Sequence, residues 1–185
     1  MQATAPISLS DRLEFRSGNL IFTYEVINHS HRDVYLINKL YRTSPDWDIS
    51  PNVIYIKLEL ESEAVILSKK LADIPQYVST PVAPFVTPLR AGQSFQEQVQ
   101  IPLPIREYQQ YSNRYSSAES KARGAVFKSL RFVLGYYWRP EGTTEDVREV
   151  HGSRITIPQT PPGQPIDFGE LTTQHLGMNI PVMIP

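Results

Sequence analysis

Asn19-Leu20-Ile21-Phe22-Thr23-Tyr24-Glu25-Val26-Ile27-Asn28 is the stretch that decides the fold. Leu20, Phe22, Tyr24 and Val26 share one parity, while Thr23 and Glu25 fall on the other. Successive Cβ atoms of a strand point to opposite faces, so this two-residue period describes a β-strand with one buried side. Asn28-His29-Ser30 then breaks the pattern with turn residues, and Val34-Tyr35-Leu36-Ile37 starts again. Parity places Leu20, Phe22, Tyr24, Val26, Leu36, Val99, Ile101, Phe132 and Leu134 in the central core.

The same grammar runs along most of the chain. It predicts strands over 9–16, 20–27, 34–41, 53–60, 64–70, 93–103 and 130–139, with a final short pair at 147–150 and 154–157. Gly152-Ser153 between that pair reads as a bulge. Short strands separated by turns predict an all-β sandwich or barrel. No βα alternation is visible, which argues against a parallel α/β sheet. The fold predicted is an antiparallel β-sandwich of about seven strands, spanning residues 1–157.

Three segments depart from the pattern. Residues 74–88 carry Pro75, Pro81, Pro84 and Pro88. Proline lacks a backbone donor, so this segment reads as an extended crossover rather than a central strand. Residues 105–128 contain Ser116-Ser117-Ala118-Glu119, the spacing of a capping box, which predicts a short helical turn over 118–123. Upstream, Tyr108, Tyr111 and Tyr115 stand three and four apart, the spacing of one helix face. They are candidate binding residues, or they cap one end of the sandwich. The third segment, 158–185, joins prolines to Leu176, Met178, Ile180, Val182 and Ile184. It reads as an extended apolar tail docked on the sandwich or exchanged with a neighbouring copy.

Bulk properties narrow the function classes. The 185 residues carry a net charge of −1, which argues against a nucleic-acid partner engaged through bulk charge. No stretch approaches the roughly 20 apolar residues that span a bilayer, so membrane insertion is not expected. The chain has no cysteine, which removes disulfides, thiolate metal sites and thiol catalysis. That composition fits the cytoplasm; a periplasmic home follows if a signal peptide was removed.

Two segments resemble a known family. Tyr24–Ser30 followed by Val34-Tyr35-Leu36 is similar to the second and third strands of bacterial immunoglobulin-like domains. Leu89-Arg90-Ala91-Gly92-Gln93-Ser94-Phe95, running on to Ile101-Pro102-Leu103-Pro104, resembles the start of a later strand in those sandwiches, with Leu130–Tyr137 as the next core strand. More distantly the chain is similar to the intracellular protease-inhibitor sandwich family, although no inhibitory loop is identifiable. The resemblance implies the immunoglobulin-like form of the sandwich and leaves function open.

The candidate sites are few. His29-Ser30-His31 with Asp33 is the one His-x-His, and alternate residues of an extended segment point the same way; a polar turn is the plainer reading. His175, Met178 and Met183 form a thinner soft-ligand set, or simply packing. Asp46-Trp47-Asp48 lies in a loop, where an indole flanked by carboxylates anchors a partner or stacks on a sugar, or else covers an edge. The basic residues of 105–131, interleaved with tyrosines, are a candidate phosphate or polyanion site, with a solvated face as the plainer reading. Gly-x-Ser-x-Gly, His-Glu-x-x-His and Gly-x-Gly-x-x-Gly do not occur, and no constellation asks for an enzyme or a cofactor. The favoured expectation is a non-enzymatic protein-interaction module that binds a partner or itself. A carbohydrate-binding or adhesive module, and a metal-dependent enzyme or carrier using His29 and His31, are the alternatives.

Overall fold

The computed structural model describes residues 5–42, 46–74, 76, 83–111 and 122–184. These residues form twelve strands in two sheets and no helix. Strands β1 (Ile7–Arg16), β2 (Asn19–Asn28) and β7 (Ser94–Pro102) make a three-stranded antiparallel sheet in the order β1-β2-β7. The larger mixed sheet has the order β10-β11-β6-β3-β9-β12-β8, with β5 added beside β9 and β4 beyond it. Its members are β3 (Val34–Lys39), β4 (Tyr55–Glu59), β5 (Ala64–Lys69), β6 (Phe85–Leu89), β8 (Ile105–Arg106), β9 (Arg123–Trp138), β10 (Thr144–Val150), β11 (Ser153–Gln159) and β12 (Phe168–Ile184).

The two sheets share one apolar core. All nine residues assigned to it by parity are buried. Phe22 meets Phe132 edge-on at 4.6 Å, and Tyr24 lies 4.9 Å from the same ring, so β2 and β9 face each other at the centre. Aromatic pairs of this geometry add to the gain from area burial.

Local chemistry fixes the hairpins. Arg16 pairs with Asn19 and Val150 with Ser153, leaving two-residue loops Ser17-Gly18 and His151-Gly152. All four loop residues have positive φ, the requirement of a type I′ turn. Gly152 therefore closes a hairpin and is not the bulge its sequence context suggested.

Strand β9 is the spine of the large sheet. One edge is zipped to β12 over almost its whole length. The other edge carries β5, parallel, up to the pair Lys69–Leu134, and then β3, antiparallel, from Tyr136 onward. The two strands meet end to end opposite Gly135. A Cβ there would stand 2.9 Å from Lys70 Cβ and 3.3 Å from Ile37 Cδ1, so the junction needs a residue with no side chain.

Several expectations need correction. The chain has more strands than the seven predicted. The proline-rich crossover contains β6, which lies inside the large sheet between β11 and β3. Pro88 is tolerated there opposite Tyr35, because toward β11 the ladder is the single bridge Thr156–Val86 and few donors are needed. Residues 123–128 belong to β9 rather than to a crossover. Residues 168–184, read as part of an extended apolar tail, are strand β12. Pro181 sits just outside the two-residue parallel ladder to β8, which begins at Val182. A bulge between Leu176 and Ile180 absorbs the extra residues, with Gly177 in the left-handed region and Asn179 accepting from Lys128 Nζ at 3.1 Å. The capping box at 116–119 and most of the helical turn predicted over 118–123 lie outside the described residues.

Candidate functional site

The flank of the molecule bounded by β1 and β12 is the candidate site. Strand β1 is one edge of the small sheet. Among the described residues, β12 pairs on its outer side with β8 alone, and only at Val182 and Met183. From Phe168 to Asn179 its outer backbone edge has no strand partner among those residues. Side chains alternate along it: Phe168, Glu170, Thr172, Gln174 and Leu176 are solvent-facing or nearly so, while Leu171 packs against the core. Phe168 is 52% exposed and Leu176 73% exposed.

A polar clamp joins the two edge strands. Asp11 of β1 takes its place on the inward parity with Leu9 and Leu13. Its carboxylate accepts from Thr173 Oγ1 and bonds His175 Nε2 at 2.7 Å. Asp11 is thus satisfied although its side chain is almost wholly covered. The clamp fixes β12 against β1 by side chains; among the described residues neither the outer edge of β1 nor that of β12 over 168–179 has a strand partner.

Other residues singled out from the sequence are placed elsewhere. His29 bonds Ser8 Oγ at 2.9 Å. Asp33 accepts from Arg90 at 3.0 Å, Arg139 at 3.3 Å and the Ala91 N–H at 3.0 Å. Burial works to raise its pKa but is outweighed by the Ala91 N–H and the two guanidiniums, which hold it below the usual range. Glu145 completes this network through Arg90 and the Tyr35 hydroxyl, each at 2.9 Å. Among the described residues no three His, Asp or Glu side chains are grouped to hold a metal. The geometry thus gives His29, His31 and Asp33 no common focus. Asn28 explains the turn better: its amide donates to Arg32 O, and its Oδ1 accepts from Ser30 N and Oγ. Of the soft-ligand set, His175 is in the Asp11 clamp and Met178 packs on the core.

Trp47 is 44% exposed and belongs to a row of rings. It stacks on Tyr41 at 5.1 Å and on His151 at 5.4 Å, and Tyr41 stacks in turn on Phe85. Two near-parallel neighbours already use ring surface that a sugar would need. Asp48 accepts from Arg42 at 2.9 Å and from Ser50 N, which fixes the loop, and Asp46 is exposed. Tyr108 is not on a helix face: its backbone exchanges both hydrogen bonds with Ile56, and its ring lies 6.3 Å from Tyr55. Tyr111 lines a cleft above the outer face of β4 and β5. Tyr115 lies outside the described residues.

The sequence reading missed a polar cluster between the sheets. Lys69 is 0% exposed and Glu97 7%. Lys69 Nζ donates to Glu97 Oε2 at 2.5 Å, to Pro51 O at 2.8 Å and to Asn38 O at 3.2 Å. Tyr24 Oη donates to Glu97 Oε2 at 2.6 Å, and Asn38 Nδ2 to Oε1 at 3.3 Å. Burial holds the Lys69 pKa below the ordinary lysine value against the pull of Glu97. Burial, then the Glu97 charge, pushes the Tyr24 phenol well up. One signal was available: Glu97 shares the parity of Val99 and Ile101, so a carboxylate was being sent into the core.

No protein-family model, curated protein or solved structure matches this chain.

Proposed function

We propose that this protein is a non-enzymatic interaction module on an immunoglobulin-like sandwich, and that it takes up an extended segment of a protein partner along β12. The observation that carries the reading is the outer edge of Phe168–Asn179. It is long and has Glu170 as its one carboxylate, and it contains no proline or lysine. Unpaired edges with those properties template the pairing of another strand, and proteins normally blunt them with charge or proline. Strand addition supplies affinity through main-chain bonds and specificity through alternate side chains, here Phe168, Thr172 and Leu176 on the exposed parity. Two sheets over one core, with antiparallel hairpins at β1–β2 and β10–β11, support the immunoglobulin-like assignment.

The test is peptide display against the full chain. Enriched sequences should be extended and alternate apolar with polar residues, and they should lose binding to the double variant Thr172→Lys, Leu176→Glu. Failure to enrich any such peptide, or binders indifferent to the double variant, rules the edge out.

One observation favours a second reading, a carbohydrate-binding module. The cleft below Tyr111 has a volume of about 590 Å³, and Tyr55, Glu59, Asp73 and Arg131 are among the residues lining it. Rings beside planar polar groups suit a sugar. Glycan-array binding abolished by Tyr111→Ala is the result that selects this reading over the first.

A further inference from the structure

The buried cluster of Lys69, Asn38 and Glu97 holds an amine, a carboxamide and a carboxyl group together in the core. We propose that it is a self-modifying site, in which Lys69 Nζ displaces ammonia from Asn38 to form an intramolecular amide cross-link between β5 and β3.

The topology places the reactants. Strands β5 and β3 meet end to end on the same edge of β9, with Lys70 and Ile37 nearest the junction at Gly135, and their chain neighbours Lys69 and Asn38 meet at Glu97. Nζ is tied to Asn38's own backbone oxygen at 3.2 Å. The two nitrogens that must exchange places are held by one carboxyl group: Nζ on Oε2, and Nδ2 on Oε1. Holding reactants this way replaces a bimolecular encounter with a unimolecular step, an advantage of many orders of magnitude in effective concentration.

Burial supplies the reactive protonation state. An amine is a nucleophile only when neutral, and burial disfavours the charged form of Lys69. The depressed lysine pKa lies in the same direction. One proton passing from Nζ to Oε2 along their hydrogen bond gives the neutral amine and the neutral acid.

The bonds then balance as follows. The Nζ lone pair attacks Cγ of Asn38, and the carbonyl π pair moves onto Oδ1. The Glu97 carboxyl group turns to give its proton to Nδ2 and takes one from Nζ on its other oxygen. The Oδ1 pair re-forms the carbonyl, the Cγ–Nδ2 bond breaks with its electrons leaving on nitrogen, and ammonia departs. Nothing is oxidised or reduced, and Glu97 ends as the neutral acid.

An unusual feature of the cluster agrees with this end state. Asn38 Oδ1 is buried and has no hydrogen-bond partner among the described residues. Buried polar atoms of native proteins are nearly always paired. A Glu97 carboxylate has no hydrogen to offer, whereas the neutral acid does. Loss of ammonia also removes Nδ2 from the carboxyl group, so that the O–H of the neutral acid is free to turn toward Oδ1.

Intact-mass spectrometry of the full folded chain, followed by tryptic mapping, tests the assignment. The expected mass is lower than the sequence mass by one ammonia. Unmodified chain yields 33–39 and 58–69 as separate peptides. An acylated Lys69 resists trypsin, so the product joins 33–39 to 58–70. Lys69→Met and Asn38→Ala should restore the full mass, and Glu97→Gln should do so while melting cooperatively. Separate peptides from wild-type chain after prolonged incubation show an ion pair only and overturn the proposal. A loss of ammonia that persists in Lys69→Met arises elsewhere and also overturns it. The wild-type map decides the matter even if Glu97→Gln does not fold.

Discussion

The two ends of the large sheet are treated differently. At one end lies β10, Thr-Glu-Asp-Val-Arg-Glu-Val, in which Glu145, Asp146, Arg148 and Glu149 leave little uncharged edge. Asp146 and Arg148 bond each other at 2.7 Å, and Glu145 is drawn into the Arg90–Arg139 network. Toward the other end, where among the described residues only the two-residue β8 lies beyond it, is β12, whose first twelve residues, 168–179, include Glu170 as the only carboxylate. Charge along an edge strand raises the cost of burying it against another strand. The difference teaches that charge guards the edge at β10, while β12 over 168–179 has neither that charge nor a strand partner among the described residues.

The largest expected effect comes from removing the open edge altogether. A chain ending before Phe168 loses Ile180 and Val182 from the core and leaves β9 with a bare edge. It should show no cooperative thermal transition and should aggregate in light scattering. A truncated chain that melts as the full one does would make β12 an accessory and end the comparison.

Next comes the strand that both halves of the sheet depend on. Phe132→Ala should destabilise by about 3–5 kcal/mol in denaturant melts, the usual range for a buried phenylalanine. A loss under about 1 kcal/mol is the value expected of a solvent-facing position and would contradict the burial of Phe132.

At the charged end the effect is smaller and depends on pH. Asp33→Asn removes the acceptor of Arg90 and Arg139, a partly exposed network worth about 1 kcal/mol after allowing for solvent screening. Because the folded pKa of Asp33 lies below its unfolded value, the contribution is complete above about pH 4 and is lost as pH falls through the lowered folded value. Melts of the two proteins should therefore differ at neutral pH and converge in strong acid. A difference that persists in acid means the side chain acts by packing.

The smallest change in stability belongs to the edges themselves. Thr172→Lys with Leu176→Glu should shift the melt by under about 0.5 kcal/mol, as exposed sites do. Conversely, Arg148→Thr with Glu149→Val at β10 should leave stability similar and raise self-association in light scattering. If neither pair changes association or binding, edge charge is not what distinguishes the two ends.

The core was legible because parity is local: Leu20, Phe22, Tyr24 and Val26 announce their face within one strand. The strands containing proline were not. Pro88 and Pro181 count against a strand when read alone, and only the register shows that few ladder bonds are lost there. The open edge could not be read for the same reason, since pairing partners are a property of the whole sheet. Lys69 and Asn38 stand far apart in sequence, and only the end-to-end meeting of β5 and β3 brings them together. Glu97 alone carried a local signal, a carboxylate in step with Val99 and Ile101.

The pairing of β9 with β12 also sets an order of events during synthesis. Strand β9 leaves the ribosome before β10 and β11, and its second partner follows only with residues 168–184. At about 5–20 residues per second the spine of the sheet waits several seconds with one edge bare. Its exposed run includes Phe127, Leu130, Phe132 and Leu134, all destined for burial. The nascent chain therefore passes through a stage in which the spine of its large sheet lacks one of its two flanking partners. Slowing translation between Trp138 and Phe168 prolongs that stage, and a holdase that recognises extended apolar segments would act on it there.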